Sequence, residues 1–408
     1  MSLIVRPITA DELPRLTACV GDVFGTDPAS DPQVLDRVRA LLPLARTFAA
    51  FDGAAVVGTA SAYSFALTVP GAVTVPMGGL TIVTVRPTHR RQGVLRRLMD
   101  AHLADVRSRG EALSGLYASE GTIYGRFGYG IAAESDELVI AGGDGLFPAP
   151  AGYALVGLDD DDALATLPTI YAEATATRPG MYARSHDWWR WRRIADRPYA
   201  RRGRSPRRHV VVRKDGVNRG YVVYRQQLAF DDGRAAGTVD VEELIALDPD
   251  AEAALLHHVA TLDLFPRVTL ANAAVDAAAP WLATDYRRVV RRRRSDTLWL
   301  RVDDGAAALA GRRYGADGAL TLAIHDDTTG AADRRWRLTV DGGVATCVPA
   351  LTAADLTLPR PALGSLYLGG VTATTLARAG RLAGTPAAVA LADRMFASPV
   401  APWCPEQF

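Results

Sequence analysis

Residues 81–106 read TIVTVRPTHRRQGVLRRLMDAHLADV, and no other stretch restricts the fold of this chain as much. Thr81–Val85 is β-branched enough for a buried strand, and Pro87 ends it. After Gly93, the residues Val94, Leu95, Leu98, Met99, Leu103 and Val106 fall on one half of a helical wheel, so a packed helix begins there. Arg90–Arg91–Gln92–Gly93 therefore occupies the loop where a strand hands over to a helix N-terminus. Free N–H groups, the helix dipole, a glycine that lets the backbone approach and arginine charge together suit an anion. Taken alone, the same tetrapeptide also reads as a solvated loop.

The rest of the first segment has the same α/β rhythm. Leu3–Val5 predicts a strand, and Thr9–Ala10–Asp11–Glu12 a capping box opening a helix to about Phe24. Thr47–Phe51 and Ala54–Phe65, joined at Asp52–Gly53, read as a hairpin. Val73–Pro76, Gly79–Val85 and Leu113–Tyr117 add strands. A chain of 408 residues exceeds one ordinary core, at roughly 150 residues per domain. Three segments are predicted: 1–148, 149–295 and 296–408. The second repeats the first's order of elements, with a helix over Ala163–Ala174 broken at Pro168, strands at Val210–Arg213, Tyr221–Arg225 and Val239–Leu247, and a helix over Ala251–Leu264. The third reads as α+β, with strands at Leu298–Val302, Leu320–Ile324 and Trp336–Val340 and helices near 372–382 and 386–396.

Composition narrows the function classes. A formal net charge of +1 creates no global field toward nucleic acid or an anionic membrane. Cys19, Cys347 and Cys404 are scattered without ligand spacing, which argues for a reducing compartment and against structural zinc. Neither a signal peptide nor a membrane span is readable, so a cytoplasmic protein is expected. The runs WWRWRR (188–193), RRGRSPRR (201–208) and RRVVRRRR (287–294) mix cations with aromatics. They leave a nucleic-acid-binding regulatory protein as the alternative from another class, although arginine beside tryptophan is also a common packing arrangement.

The order of hairpin, long strand, R-x-x-G loop, amphipathic helix, strand and tyrosine-rich turn resembles the GNAT N-acetyltransferases. The segment YASEGTIYGRFGYG at 117–130 and RPTHRRQGVLRRLM at 86–99 resemble the Eis (enhanced intracellular survival) group. LGSLYLGG at 363–370 and the closing residues to Phe408 extend that likeness to the far end. Leu95 stands where the loop pattern has a small residue.

The resemblance implies two tandem GNAT-like folds followed by a sterol-carrier-protein-like α+β domain, assembled as a homohexamer. It implies an acetyl-CoA-dependent transferase, needing no metal, that acetylates aminoglycosides or similar polyamines and so confers antibiotic resistance, or alternatively protein lysines. Val83, Thr84 and Val85 would meet the pantetheine arm. Arg91, Gln92, Gly93, Val94, Leu95 and Arg96 would form the pyrophosphate loop, with Ser119 and Glu120 lining the cofactor cleft. Tyr124 would be the general acid, with Tyr129 its rival, and the terminal carboxylate of Phe408 the base. Gln407 replaces the acidic residue expected beside that terminal Phe. Asp22, Asp27 and Glu406 are candidates for a cation-attracting rim. In the second segment, Asp248-Pro249-Asp250-Ala251-Glu252-Ala253 stands where a phosphate loop would lie. It has no glycine and its charge repels phosphate, so one cofactor site per chain is expected.

Overall fold

The computed structural model describes residues 3–197, 201–326 and 331–408. The chain forms two compact units, one of Met1–Ala133, Thr297–Pro399 and Glu406–Phe408, the other of Glu134–Asp296 and Val400–Pro405.

In the first unit, strand β1 (Ile4–Pro7) leads to helix α1 (Leu13–Phe24) through a 3-10 turn, where the Thr9 N–H donates to the Glu12 carboxylate at 3.0 Å. Helix α2 (Val34–Leu41) precedes strands β2 (Thr47–Asp52), β3 (Ala55–Val69) and β4 (Val73–Val85). The two strand pieces expected over 73–85 are thus one continuous strand. Helix α3 (Val94–Ser108), strand β5 (Leu113–Leu116) and the short β6 (Gly130–Ile131) follow. The seven-stranded sheet has the order β1-β2-β3-β4-β5, then Trp299–Val302, then β6. Helix α3 buries Val94, Leu98, Met99, Leu103 and Val106, as its wheel predicts, and also His102.

The feature that shapes this sheet is a parting of strands. β4 and β5 run parallel, paired only from Met77↔Leu113 to Leu80↔Leu116. β4 then continues through Val85 with β3 on one side and, among the described residues, no strand on the other.

The third segment supplies a five-stranded sheet, in the order Val344–Pro349, Ala331–Asp341, Gly318–Asp326, Leu356–Pro359, Ala383–Gly384. The LGSLYLGG motif lies mainly on the helix Arg360–Tyr367. Gly364 in it lets this helix lie against the sheet, since a Cβ there would come within 2.1 Å of the Leu300 carbonyl. Among the described residues no carboxylate pairs with the fully buried Arg312, which donates to the Arg313 and Phe396 carbonyls at 3.0 and 3.1 Å and to that of Tyr367.

The second unit has its own seven-stranded sheet, ordered Val289–Asp296, Glu134–Ala141, Arg267–Ala274, Thr238–Ala246, Val217–Gln227, Arg208–Lys214, Tyr153–Leu158. Its limits differ from the segment ends read from the sequence. The strand Glu134–Ala141 falls inside segment 1–148 but pairs with Arg267–Ala274 and Val289–Asp296. Ion pairs from Asp136 to Arg291 and Arg294, at 2.5 and 2.8 Å, hold it there. The helix expected to break at Pro168 runs unbroken over Asp160–Thr177, and the one expected to reach Leu264 ends at Ala260.

Candidate active site

Where β4 leaves β5, a cleft of about 860 Å³ opens. Val83, Thr84 and Val85 line it from the strand, and Arg91, Gly93, Val94, Leu95 and Arg96 from the loop and first turn of α3. Ser119, Glu120 and Tyr124 line it from the turn after β5. All the residues singled out in the sequence for cofactor or catalysis lie on this lining except Gln92, Phe408 and the rival Tyr129. The Gln92 amide instead folds back to donate to the Thr88 carbonyl at 3.2 Å.

Local backbone explains the anion end. Arg91 sits at φ +63° and Gly93, the N-cap of α3, at φ +77°. Two left-handed residues so close together turn the chain sharply, so that the first N–H groups of α3 face the cleft with no intrahelical partner. A Cβ at Gly93 would meet nothing within 4 Å. The glycine is therefore needed for its positive φ, not for space. Arg90 of the predicted anion loop lines the cleft too, and sequence reasoning missed His89 and Arg126, the latter adding to its positive end.

Tyr124 opens a 3-10 turn over Gly125–Phe127 and is buried with Leu80, Leu98 and Met99. Burial, with help from the Glu120 charge, pushes its phenol up to about 12, while a hydrogen bond with Ser119 pulls the other way. Tyr129, its rival, is engaged elsewhere. Its hydroxyl lies 2.6 Å from Ser114 Oγ and 3.3 Å from His102 Nε2, wholly buried. Burial holds that imidazole down to about 3, so the network is neutral and structural.

Phe408 is also buried. Its ring packs edge-on to Phe65 with centroids 5.2 Å apart, and a Cβ on Gly79 would lie 3.1 Å from it. A Cβ on Gly78 would instead face Val106 of α3. Side chains alternate along a strand, so Phe408 lies on the face of β4 opposite α3. Of the rim candidates, Asp22 pairs with Arg86 at 3.0 Å, Asp27 caps the turn at Pro28–Ser30, and Glu406 is buried.

The second unit repeats the parting of strands without the anion end. Thr238–Ala246 pairs in parallel with Arg267–Ala274 only as far as Val241↔Leu270. Helix Pro249–Ala260 follows, and the Asp248 carboxylate occupies its N-terminus, accepting from the Ala251 N–H at 2.7 Å and the Tyr153 hydroxyl at 2.9 Å. Trp403 lines the cavity beyond, where its Nε1 donates to Asn272 at 3.2 Å and Asn272 Nδ2 donates to the Cys404 carbonyl at 3.3 Å.

Several arginines of the runs are ion-paired within the same unit. Arg201 pairs with Asp196, Arg204 with Asp240 and Arg207 with Glu242. Arg292 and Arg293 pair with Glu137. Among the described residues, no group of three or more His, Cys, Asp and Glu is placed to hold a metal, and no helix is long and apolar enough to cross a membrane.

Family models for the acetyltransferase (GNAT) domain match residues 4–132 and 180–302, and a sterol carrier protein domain model matches 306–405. An uncharacterized N-acetyltransferase of Streptomyces avermitilis is 40% identical over 367 residues, 89% of each chain. The N-acetyltransferase Eis of Mycobacterium tuberculosis is 33% identical over 363 residues, 86% of each chain. The crystal structure of Eis1 from Mycobacterium abscessus superposes with a TM-score of 0.84 at 32% identity, over 99% of this chain and 100% of that one.

Proposed function

The chain belongs to the Eis family of GNAT N-acetyltransferases, and from that premise we propose that it transfers acetyl from acetyl-CoA to primary amines of aminoglycosides or similar polyamines. One observation carries the reading: the open edge of β4, the N-terminus of α3 and the Tyr124 phenol all line a single cleft. Cations and helix N–H groups suit a pyrophosphate, and an unpaired strand edge suits the amides of a pantetheine arm.

Bound acetyl-CoA supplies the activated acyl carbonyl. Arg91, Arg96 and the first turn of α3 would hold its phosphates, and Val83–Val85 its arm. The Val83 N–H would meet the charge that develops on the carbonyl oxygen. Tyr124 would protonate the departing thiolate. In water a thiolate of pKa ~8.5 is a poor acceptor from a phenol, and a phenol raised to about 12 widens the gap. The same desolvated site would raise the thiolate's own affinity for the proton and so offset that gap. The Phe408 carboxylate would relay the proton from the attacking amine. Tyr124 packs with Leu98 and Met99 of α3, and Phe408 lies on the other face of β4. On the same family premise the working assembly is a homohexamer.

The test is CoA release from acetyl-CoA with a panel of aminoglycosides, simple polyamines and a lysine peptide, with products weighed by mass spectrometry. Aminoglycoside- or polyamine-dependent release with acetyl mass increments is expected. Release with the lysine peptide alone would keep the chemistry and overturn the acceptor; release with no acceptor would overturn the function.

A further inference from the structure

Ile82 is a β-branched residue at φ +43°, a region such side chains avoid. The register of β4 shows what puts it there. Thr84 pairs with Thr59 and Thr81 with Ser61, so Ile82 and Val83 together oppose Ala60. This is a β-bulge at the point where β4 parts from β5.

Three buried side chains hold the bulge. The Thr59 hydroxyl donates to the Ile82 carbonyl at 2.6 Å. Its oxygen also lies 2.6 Å from Thr84 Oγ1, which in turn lies 3.8 Å from Cys19 Sγ. A threonine hydroxyl has a single proton, and that of Thr59 is committed to Ile82. Thr84 must therefore donate to Thr59, and the Cys19 thiol to Thr84. The relay has one direction, and each member is at most 2% exposed, so water does not compete with it.

We infer that Thr59, backed by Thr84 and Cys19, is a positioning residue that fixes the Ile82–Val83 peptide with its N–H toward the reacting carbonyl oxygen. The inference rests on the reading that the Val83 N–H meets that oxygen. In a planar trans peptide, the carbonyl of one residue and the N–H of the next point in opposite directions. Thr59 lies on β3, so holding the Ile82 carbonyl toward β3 turns the Val83 N–H toward the side where β5 pairing has ended. Without the clasp the strained peptide is free to flip, presenting a carbonyl where developing negative charge needs a donor. Such a donor is strongest in the transition state, so its orientation governs kcat more than cofactor affinity.

The experiment compares Thr59→Val, which removes the hydroxyl at nearly constant volume, with Thr59→Ser, which keeps it. Steady-state rates are read beside the Kd for CoA, which lacks the acyl carbonyl. Thr59→Val is expected to lower kcat by about 10²-fold, the scale of one lost oxyanion donor, with CoA affinity unchanged, and Thr59→Ser to restore most of the rate. Wild-type kcat in Thr59→Val, or equal losses in kcat and CoA affinity, would overturn the clasp. Val83→Pro removes the N–H itself and separates the two readings. Retained kcat in a CoA-binding Val83→Pro protein would sink the role of Val83, whereas loss there without loss in Thr59→Val would sink only that of Thr59. If Thr59→Val does not fold, Thr84→Val and Cys19→Ala carry the test. The relay requires a larger kcat loss in Thr84→Val than in Cys19→Ala at unchanged CoA affinity, and the reverse order or no loss would overturn it.

Discussion

Tyr124 and Tyr129 stand five positions apart in one motif, yet their surroundings give them different work. Tyr129 is closed into the core by Ser114 and His102, while Tyr124 reaches the cleft. The motif favours Tyr124, but the sequence holds no sign of what closes off Tyr129, because Ser114 and His102 come from β5 and α3. With its phenol at about 12, Tyr124 keeps the proton a general acid needs throughout the neutral and mildly alkaline range. The pH profile should therefore rise as the acceptor amine loses its proton and show no falling limb from the acid until pH approaches about 12. A falling limb between pH 8 and 10 that disappears in Tyr124→Phe would show that burial does not raise this phenol. Gln92 marks the limit of reading by pattern. Its position belongs to the loop, but its amide satisfies the Thr88 carbonyl.

Elements with strong periodicity were readable: α3 and the hairpin of β2 and β3 lie where expected, and the two strand pieces read before the arginine loop are one strand. The bulge at Ile82 was not, since it arises from register against β3 rather than from any signal within β4. In the second unit, the expected lack of a phosphate loop gains a physical cause, because Asp248 already caps the helix that would receive the anion. Glu243, on the strand Thr238–Ala246, shows how tertiary charge shapes an element. Burial opposes its ionisation, but Arg184 and Arg193 outweigh that and hold its carboxyl at about 2. A depressed carboxyl stabilises the fold above the unfolded-state value of ~4.3 and loses that contribution as pH falls through its folded value. Acid unfolding of the native protein should thus draw on Glu243 between about pH 4 and 2. Glu243→Gln should lose about 3–5 kcal/mol even at pH 7, since the buried Arg184 guanidinium and the half-buried Arg193 lose an ion-pair partner. Thermal melts across pH measure both, and a Glu243→Gln protein as stable as wild type would show that the arginines find other partners.

The three-domain order along the chain was visible as a rhythm of elements, but the exchange of segments at its limits was not. Glu134–Ala141 pairs with strands that lie far along the chain, and the contacts that place it, Asp136 with Arg291 and Arg294, span more than 150 residues. In the same way Arg291 to Arg294 of RRVVRRRR, on the edge strand Val289–Asp296, pair with Asp136 and Glu137. The end of the chain is anchored, not frayed, with Phe408 buried against Phe65. Adding one residue after Phe408 should lower turnover by at least tenfold without loss of CoA binding, and an unaffected rate would remove the terminal carboxylate from the mechanism. The most direct test of the account as a whole is the rate of amine-dependent CoA release by Tyr124→Phe beside wild type, with CoA affinity measured on both. The account predicts a loss of about 10²–10⁴-fold, the reach of one general acid, at unchanged affinity. Wild-type turnover by a folded, CoA-binding Tyr124→Phe protein would contradict it.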